Sequence, residues 1–304
     1  MNSPPPMRIV DPHVHFWSLG SGRYAWLLSD EPSFLGAAAR ELRRDVLPAD
    51  LLRAAAGLEL DKVVHVEAKY DAGRPVDETR WLQGLAAQPA HRGVPQAIVA
   101  AVDLAARDVE SDLRQHAGFA AVRGVRQILN VHADPLYDYV GVHWMRDPGW
   151  QRNFSLLRRF GLSFDLQIYP SQVADAVALA RRHPDVQFIL NHAGMFVDRA
   201  SVSGFRAWRE GLEALARCPN IAVKVSGIAM FTHSCAVEVL RPYVLQTIDT
   251  FGVERAMFAS NSPIDPLFGS YADLWRVYAA IVAGSSPSER DALFANNAER
   301  IYRL

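Results

Sequence analysis

Short apolar runs with period-two alternation recur along this chain. Each is followed by a stretch whose apolar positions fall three and four residues apart. The alternating runs are 7–17, 62–70, 96–104, 121–129, 162–169, 186–194, 221–229 and 255–262. Their β-branched and aromatic content predicts strands. Amphipathic helices are predicted over 48–60, 76–88, 107–118, 171–183, 204–218 and 236–252, with Ser, Asp or Asn near the starts as N-caps. Strands alternating with helices of this length imply a parallel sheet with helical crossovers. Eight such units predict a closed (β/α)8 TIM barrel; an open doubly wound sheet is the runner-up. No G-x-G-x-x-G loop follows the first strand, which weakens the nucleotide-binding version. The chain reads as a single domain over 7–304 behind a proline-rich, disordered lead-in at 1–6. The aperiodic stretches 16–47 and 130–150 read as long loops at the C-terminal mouth of the barrel.

Alternation also assigns faces. In "IVDPHVHFW", Asp11, His13, His15 and Trp17 share one side and Val10, Val14 and Phe16 the other. Helices cover a barrel from outside, so the apolar set is expected outward and the polar set inward. By the same rule His65, Glu67 and Lys69 point inward from the second strand, Asp165, Gln167 and Tyr169 from the fifth, and Lys224 and Ser226 from the seventh. On the sixth, His192 is expected inward with Phe188 and Leu190, and Asn191 opposite. The polar members gather toward the strands' C-terminal ends, where barrel active sites are built. Burying so many ionisable groups costs several kcal/mol unless they pair or bind something.

Composition narrows the partners. The 304 residues carry a net charge of −1 at a pI near 6.8, with no dense basic run, which argues against nucleic acid and anionic membranes. The cysteines, Cys218 and Cys235, stand apart from any C-x-x-C pattern and read as free thiols of a cytoplasmic protein. There is no signal-peptide core and no apolar run of membrane-spanning length. The aromatic-rich "YDYVGVHWMRDPGW" (137–150) suits a lid or a subunit contact, so a homo-oligomer stays open.

His-x-His on a strand sets two imidazoles on one face, ~6.5–7 Å apart along the backbone, able to converge on one ion. A divalent metal held by imidazole and carboxylate ligands lowers the pKa of bound water to about 7. His13 and His15 form this pair, His192 is the expected third ligand, and Asp11 is expected to orient a ring from behind. His65 is expected to be an ordinary barrel residue, and His91, His116 and His183 to lie at the surface.

"DPHVHFW" followed by "YAWL", then "VRGVRQIL", "FDLQIYPSQ", "FILNHAG", "VKVSG" and "MFASNSPID", resembles the amidohydrolase-2 branch of the amidohydrolase superfamily, in particular its lactonase-like members. These include sugar-lactone, sulfomuconolactone and pyrone-dicarboxylate hydrolases. The resemblance covers nearly the whole chain. It implies opening of a lactone by water, with a small anionic or polyhydroxylated substrate. It matches His13 and His15 to the family's strand-one pair and His192 to its strand-six histidine, where zinc or manganese is the expected ion, but it does not settle metal use, since some relatives work without one. A metal-dependent decarboxylase, or a silent barrel that binds a small acid, is the alternative. Asn261 occupies the strand-eight position where much of the superfamily has an Asp base. Three replacements are open: Asp265 as base, Glu67 as base, or Asn261 orienting water beside a metal. Arg126, rather than Arg123 on the opposite face, and Lys224 are expected to hold a substrate anion; Gln167 and Tyr169 its polar groups; Trp17 an apolar wall.

Overall fold

Residues 7–304 are described by a computed structural model; the expectation for 1–6 lies outside them. Eight parallel strands run in the order β1 to β8: Arg8–Val14, Glu59–Val66, Ala97–Ala101, Val122–Ile128, Ser163–Gln167, Phe188–Leu190, Ile221–Val225 and Ala256–Phe258. The ring is drawn together by a parallel bridge between Val14 and Ser262 and by the Ser260 amide donating to Asp11 (3.0 Å). This is the predicted TIM barrel. All six predicted helices are present, though the first ends at Ala54 and β2 begins at Glu59, inside the span expected to be helical. The longer helical stretches outside the predicted set are Pro148–Phe154, Tyr271–Ile281 and the segment 287–302; one-turn helices at Ala25–Leu28, Leu156–Arg159 and Ile228–Thr232 also lie outside it.

Two apolar cores explain the layering. The larger lies between strands and helices. The smaller fills the lower barrel with Val10, Val64, Val66, Val99, Ile189 and Met257, and is sealed beneath by Ala298, Ile301 and Tyr302 of the last helix. That inner core corrects three face assignments.

On β2, Val64 and Val66 point inward and Val63 outward. His65 sits in the outer layer, stacked on Phe16 (5.8 Å between centroids) and 3.9 Å from Glu78. On β1, Asp11 pairs with Val63 and Val14 with His65, so three β1 residues span two on β2. This bulge at Pro12–His13 flips the parity. Asp11 turns outward, accepting from the Tyr271 hydroxyl (3.0 Å) and the His13 amide (3.2 Å), and orients no imidazole ring. On β6, Phe188 and Leu190 pack outward and Ile189 inward, the reverse of the expectation. Strands β5 and β7 follow simple alternation. His91 and His116, expected at the surface, are buried, with Nδ1 atoms bonded to Leu85 O and Thr79 Oγ1.

Candidate active site

Above the inner core, polar side chains from seven of the eight strands, or the segments that follow them, meet. Left-handed backbone concentrates there. Among the described residues, eight non-glycine residues have positive φ, and Lys69, His192, Ala193, Met195 and Asn261 are five of them, each just past a strand's C-terminal end. Such conformations cost of order 1–3 kcal/mol and persist where surrounding structure enforces them.

His192 shows why. Asn191 continues the inward face of β6, so strict alternation would carry His192 outward. Instead the chain enters a left-handed turn at His192 (φ 55) and Ala193 (φ 48), which swings the imidazole back over the barrel. Gly227, after β7, makes room. A Cβ there would stand 2.5 Å from His192 Cβ and 2.6 Å from its Cγ, and φ is +68. Only glycine meets both demands.

The three histidines expected to converge do so. The His13 ring lies 4.9 Å from His15 and 4.5 Å from His192 between centroids. Their ring nitrogens form a directed chain. Lys224 Nζ lies 3.2 Å from His13 Nδ1, His13 Nε2 lies 3.2 Å from His15 Nε2, and His15 Nδ1 lies 2.8 Å from Val66 O. A carbonyl can only accept, so His15 carries its proton on Nδ1, and the ammonium as donor leaves the His13 proton on Nε2. His192 Nδ1 lies 3.0 Å from Ser226 Oγ. Burial pushes all three imidazoles toward neutrality, His15 to about 3 and the other two well below their usual value, helped by Lys224 and Arg126.

The donor set suits a metal in part. At a Zn–N distance of about 2.0–2.1 Å, two ligands of a tetrahedral ion lie about 3.3 Å apart. The two Nε2 atoms match that edge. Among the described residues no group of three or more His, Cys, Asp or Glu is already converged as a cage. The pair would fill two positions around such an ion, and His192, tethered through Nδ1, would have Nε2 left for a third.

Two buried ion pairs brace the imidazoles. Lys224 Nζ contacts Asp165 Oδ2 at 2.6 Å, and that carboxylate also accepts from Asn191 (2.9 Å) and the Tyr302 hydroxyl (2.8 Å). Burial pulls the Lys224 ammonium down to about 8 against the pull of Asp165. Arg126 pairs with Glu67 Oε1 (2.7 Å) and donates also to Glu67 O, Gln167 and Asn191. Gln167 in turn donates to Asn130. Both cations expected to grip substrate are thus occupied by protein partners, as is the Gln167 amide. Tyr169 is buried and donates to Tyr137 O. Trp17 has no exposed surface; it packs on Trp26 and donates to Arg44 O, so it presents no wall to a ligand.

Asn261 (φ 49) lies within hydrogen-bonding reach of the His15 ring. Its Nδ2 donates to Asp265 Oδ1 (3.3 Å) and contacts Met230 Sδ. Asp265 is buried, and its oxygens accept the backbone amides of Gly227 (2.7 Å) and Met230 (3.0 Å), with burial raising its carboxyl to about 7. It anchors the turn after β7 and reaches no imidazole by a hydrogen bond.

The site also enlists Asn130, Asn191, Ser226, Gly227 and Tyr302, none of which was singled out as a site residue. Asp165 was legible, since alternation on β5 points it inward. Tyr302 carries no local signal at all.

A family model described as amidohydrolase matches residues 10–304. The chain belongs to the amidohydrolase family. An uncharacterized protein, y4mH, from Sinorhizobium fredii is 42% identical over 97% of this amidohydrolase and 98% of its own length. An L-fucono-1,5-lactonase from Burkholderia ambifaria is 28% identical, covering 97% and 95% respectively. Among solved structures, a zinc-bound amidohydrolase from Burkholderia multivorans superposes with a TM-score of 0.80 at 27% identity, over 98% of this chain and 99% of the other. Among the described residues no helix is long and apolar enough to cross a membrane.

Proposed function

We propose that this amidohydrolase opens a lactone by water attack at the barrel mouth, with a divalent ion, zinc or manganese, held by His13, His15 and His192. The observation that carries the reading is the pair of neutral imidazoles with Nε2 atoms 3.2 Å apart on one strand end. The lactonase relatives and the zinc-bound relative support it. When bound, the ion would supply Lewis acidity toward the carbonyl and lower the pKa of water.

The chain's own residues do the rest. Asp265 fixes the Asn261 amide from behind, leaving its carbonyl oxygen to accept from the attacking water and aim it. Asn261 is no proton acceptor at neutral pH, so its role is orientation. Lys224, locked between Asp165 and His13, fixes the His13 ring. An ion held by the two Nε2 atoms would require the His13 proton to sit on Nδ1, against Lys224 Nζ, so Lys224 would have to give up a proton and the site would hold metal less well as pH falls.

The test is elemental analysis of protein purified without chelator, together with proton release from a lactone panel. Expected are near-stoichiometric metal and lactone turnover, both lost in His13→Ala. Asn261→Asp is expected to tighten metal retention by adding an anionic donor. Carbon dioxide release from aromatic acids with no lactone turnover would instead assign a decarboxylase, and ligand binding without chemistry a silent barrel.

A further inference from the structure

The rim above the imidazoles is aromatic. Phe34 follows β1, Tyr137 and Tyr139 follow β4, and Phe231 follows β7. Phe34 lies 6.0, 6.3 and 5.5 Å from the other three ring centroids in that order. The rim is tied to the site beneath it: the Tyr139 amide donates to Asn130 O, and Phe231 adjoins Met230, the sulfur neighbour of Asn261. The polar groups below are already bonded to one another. A ring bearing many hydroxyls would find few free partners there, whereas a flat, sparsely hydroxylated ring would find π-faces.

Among the described residues, Lys69 is a cation of this rim without an ion-pair partner. Lys69, three residues past β2, is exposed, and its Nζ lies 5.5 Å from the Tyr139 ring centroid. No carboxylate among the described residues forms an ion pair with it. Glu67 is the acid at hand, yet its Oε1 is taken by Arg126 and its Oε2 accepts the Lys69 backbone amide at 2.7 Å. That hydrogen bond accompanies the left-handed turn at Lys69 (φ 56), an uncommon conformation for a residue with a side chain. The backbone is thus held in a costly shape beside the site, and the ammonium it presents has no anionic partner.

We propose that Lys69 is a specificity-determining residue that binds a carboxylate on the substrate, so that the site favours an anionic lactone with a flat ring over a neutral, polyhydroxylated one. This rests on the lactone reading and extends it. Arg126 and Lys224 are excluded from the task by their own ion pairs. Arg199, with its guanidinium 5.8 Å from the Phe231 ring, is a second rim cation without an ion pair.

The test compares a pyrone, the same pyrone bearing one carboxylate, and a neutral sugar lactone. Expected is a kcat/KM at least tenfold higher for the carboxylate-bearing pyrone, narrowing as salt screens the contact. Lys69→Gln should reduce the preference of carboxylated over plain pyrone about tenfold, the equivalent of about 1.4 kcal/mol, mainly through KM. Lys69→Arg should retain most of it. A preference for the sugar lactone, or an unchanged ratio in Lys69→Gln with the parent's circular dichroism and Tm, overturns the assignment to Lys69 while lactone hydrolysis stands. Turnover of none of the three overturns both.

Discussion

Gly227→Ala is the substitution whose effect follows most directly from the coordinates. The new Cβ would stand 2.5 Å from His192 Cβ and 2.6 Å from Cγ, where ordinary contact begins near 3.4 Å. Something must move by about 0.9 Å, the difference between the two distances. The His192 ring cannot retreat freely, since Ser226 holds Nδ1 and the His13 ring lies 4.5 Å away. The left-handed φ of +68 adds roughly 1–2 kcal/mol for any side chain, and overpacking a filled site adds about 1–3 kcal/mol. The total, about 2–5 kcal/mol, corresponds to a fall in Tm of roughly 3–8 °C for a chain of this size. A displacement near 1 Å at a reacting group can cost about a hundredfold in rate. Differential scanning calorimetry and lactone kinetics are the two readouts. A double-mutant cycle with His192→Gly separates the contributions: without that side chain, Gly227→Ala should cost only the backbone share. An alanine variant with parental Tm and turnover, or a cycle with no coupling, would refute the claim that Gly227 makes room for His192.

Tyr302→Phe removes one hydrogen bond to a buried carboxylate and should cost about 1.5–3 kcal/mol; a Tm within half a degree of the parent would show that Asp165 does not depend on it. Glu78 is buried beneath the 16–47 segment, accepts from Tyr24 and Ala68, and is raised by burial and by Glu67 to about 8. A carboxyl with a folded pKa near 8 and an unfolded one near 4.5 binds more protons when folded across that window, so its contribution to stability declines as pH rises from about 4.5 to 8. Glu78→Gln keeps both acceptor contacts and should flatten that part of the Tm–pH curve, recovering up to about 4–5 kcal/mol at pH 8. Parallel curves for parent and variant would rule the carboxyl out.

The fold was legible because strands and helices alternate eight times with little interruption. Parts of the site were legible for the same reason. Asp165, Gln167 and Lys224 obey plain alternation, and His13, His15 and His192 stand together as expected. The misplacements have local causes. One inserted residue at the β1 bulge turned Asp11 away from the rings. The left-handed turn at His192 reversed the apparent phase of β6. On β2 a histidine sits among the outer side chains because Glu78, Phe16 and the Phe16 amide accommodate it, which an apolar-outside rule cannot foresee. Lys224 and Arg126 look like free cations in the sequence because their partners, Asp165 and Glu67, lie 59 residues away in each case. Tyr302 lies 137 residues from the carboxylate it serves.

The contact between Lys224 and His13 spans 211 residues, and the bridge between Val14 and Ser262 joins the first strand to the segment after the last. Neither exists until the ring shuts. A half-barrel intermediate would hold His13 and His15 on one piece and His192 and Lys224 on the other, so it can carry extensive native secondary structure and still be inert. Such non-local pairing is slow to form. During refolding, recovery of activity should therefore trail recovery of the circular dichroism signal, and the lag between them times the joining of the first strand to the eighth.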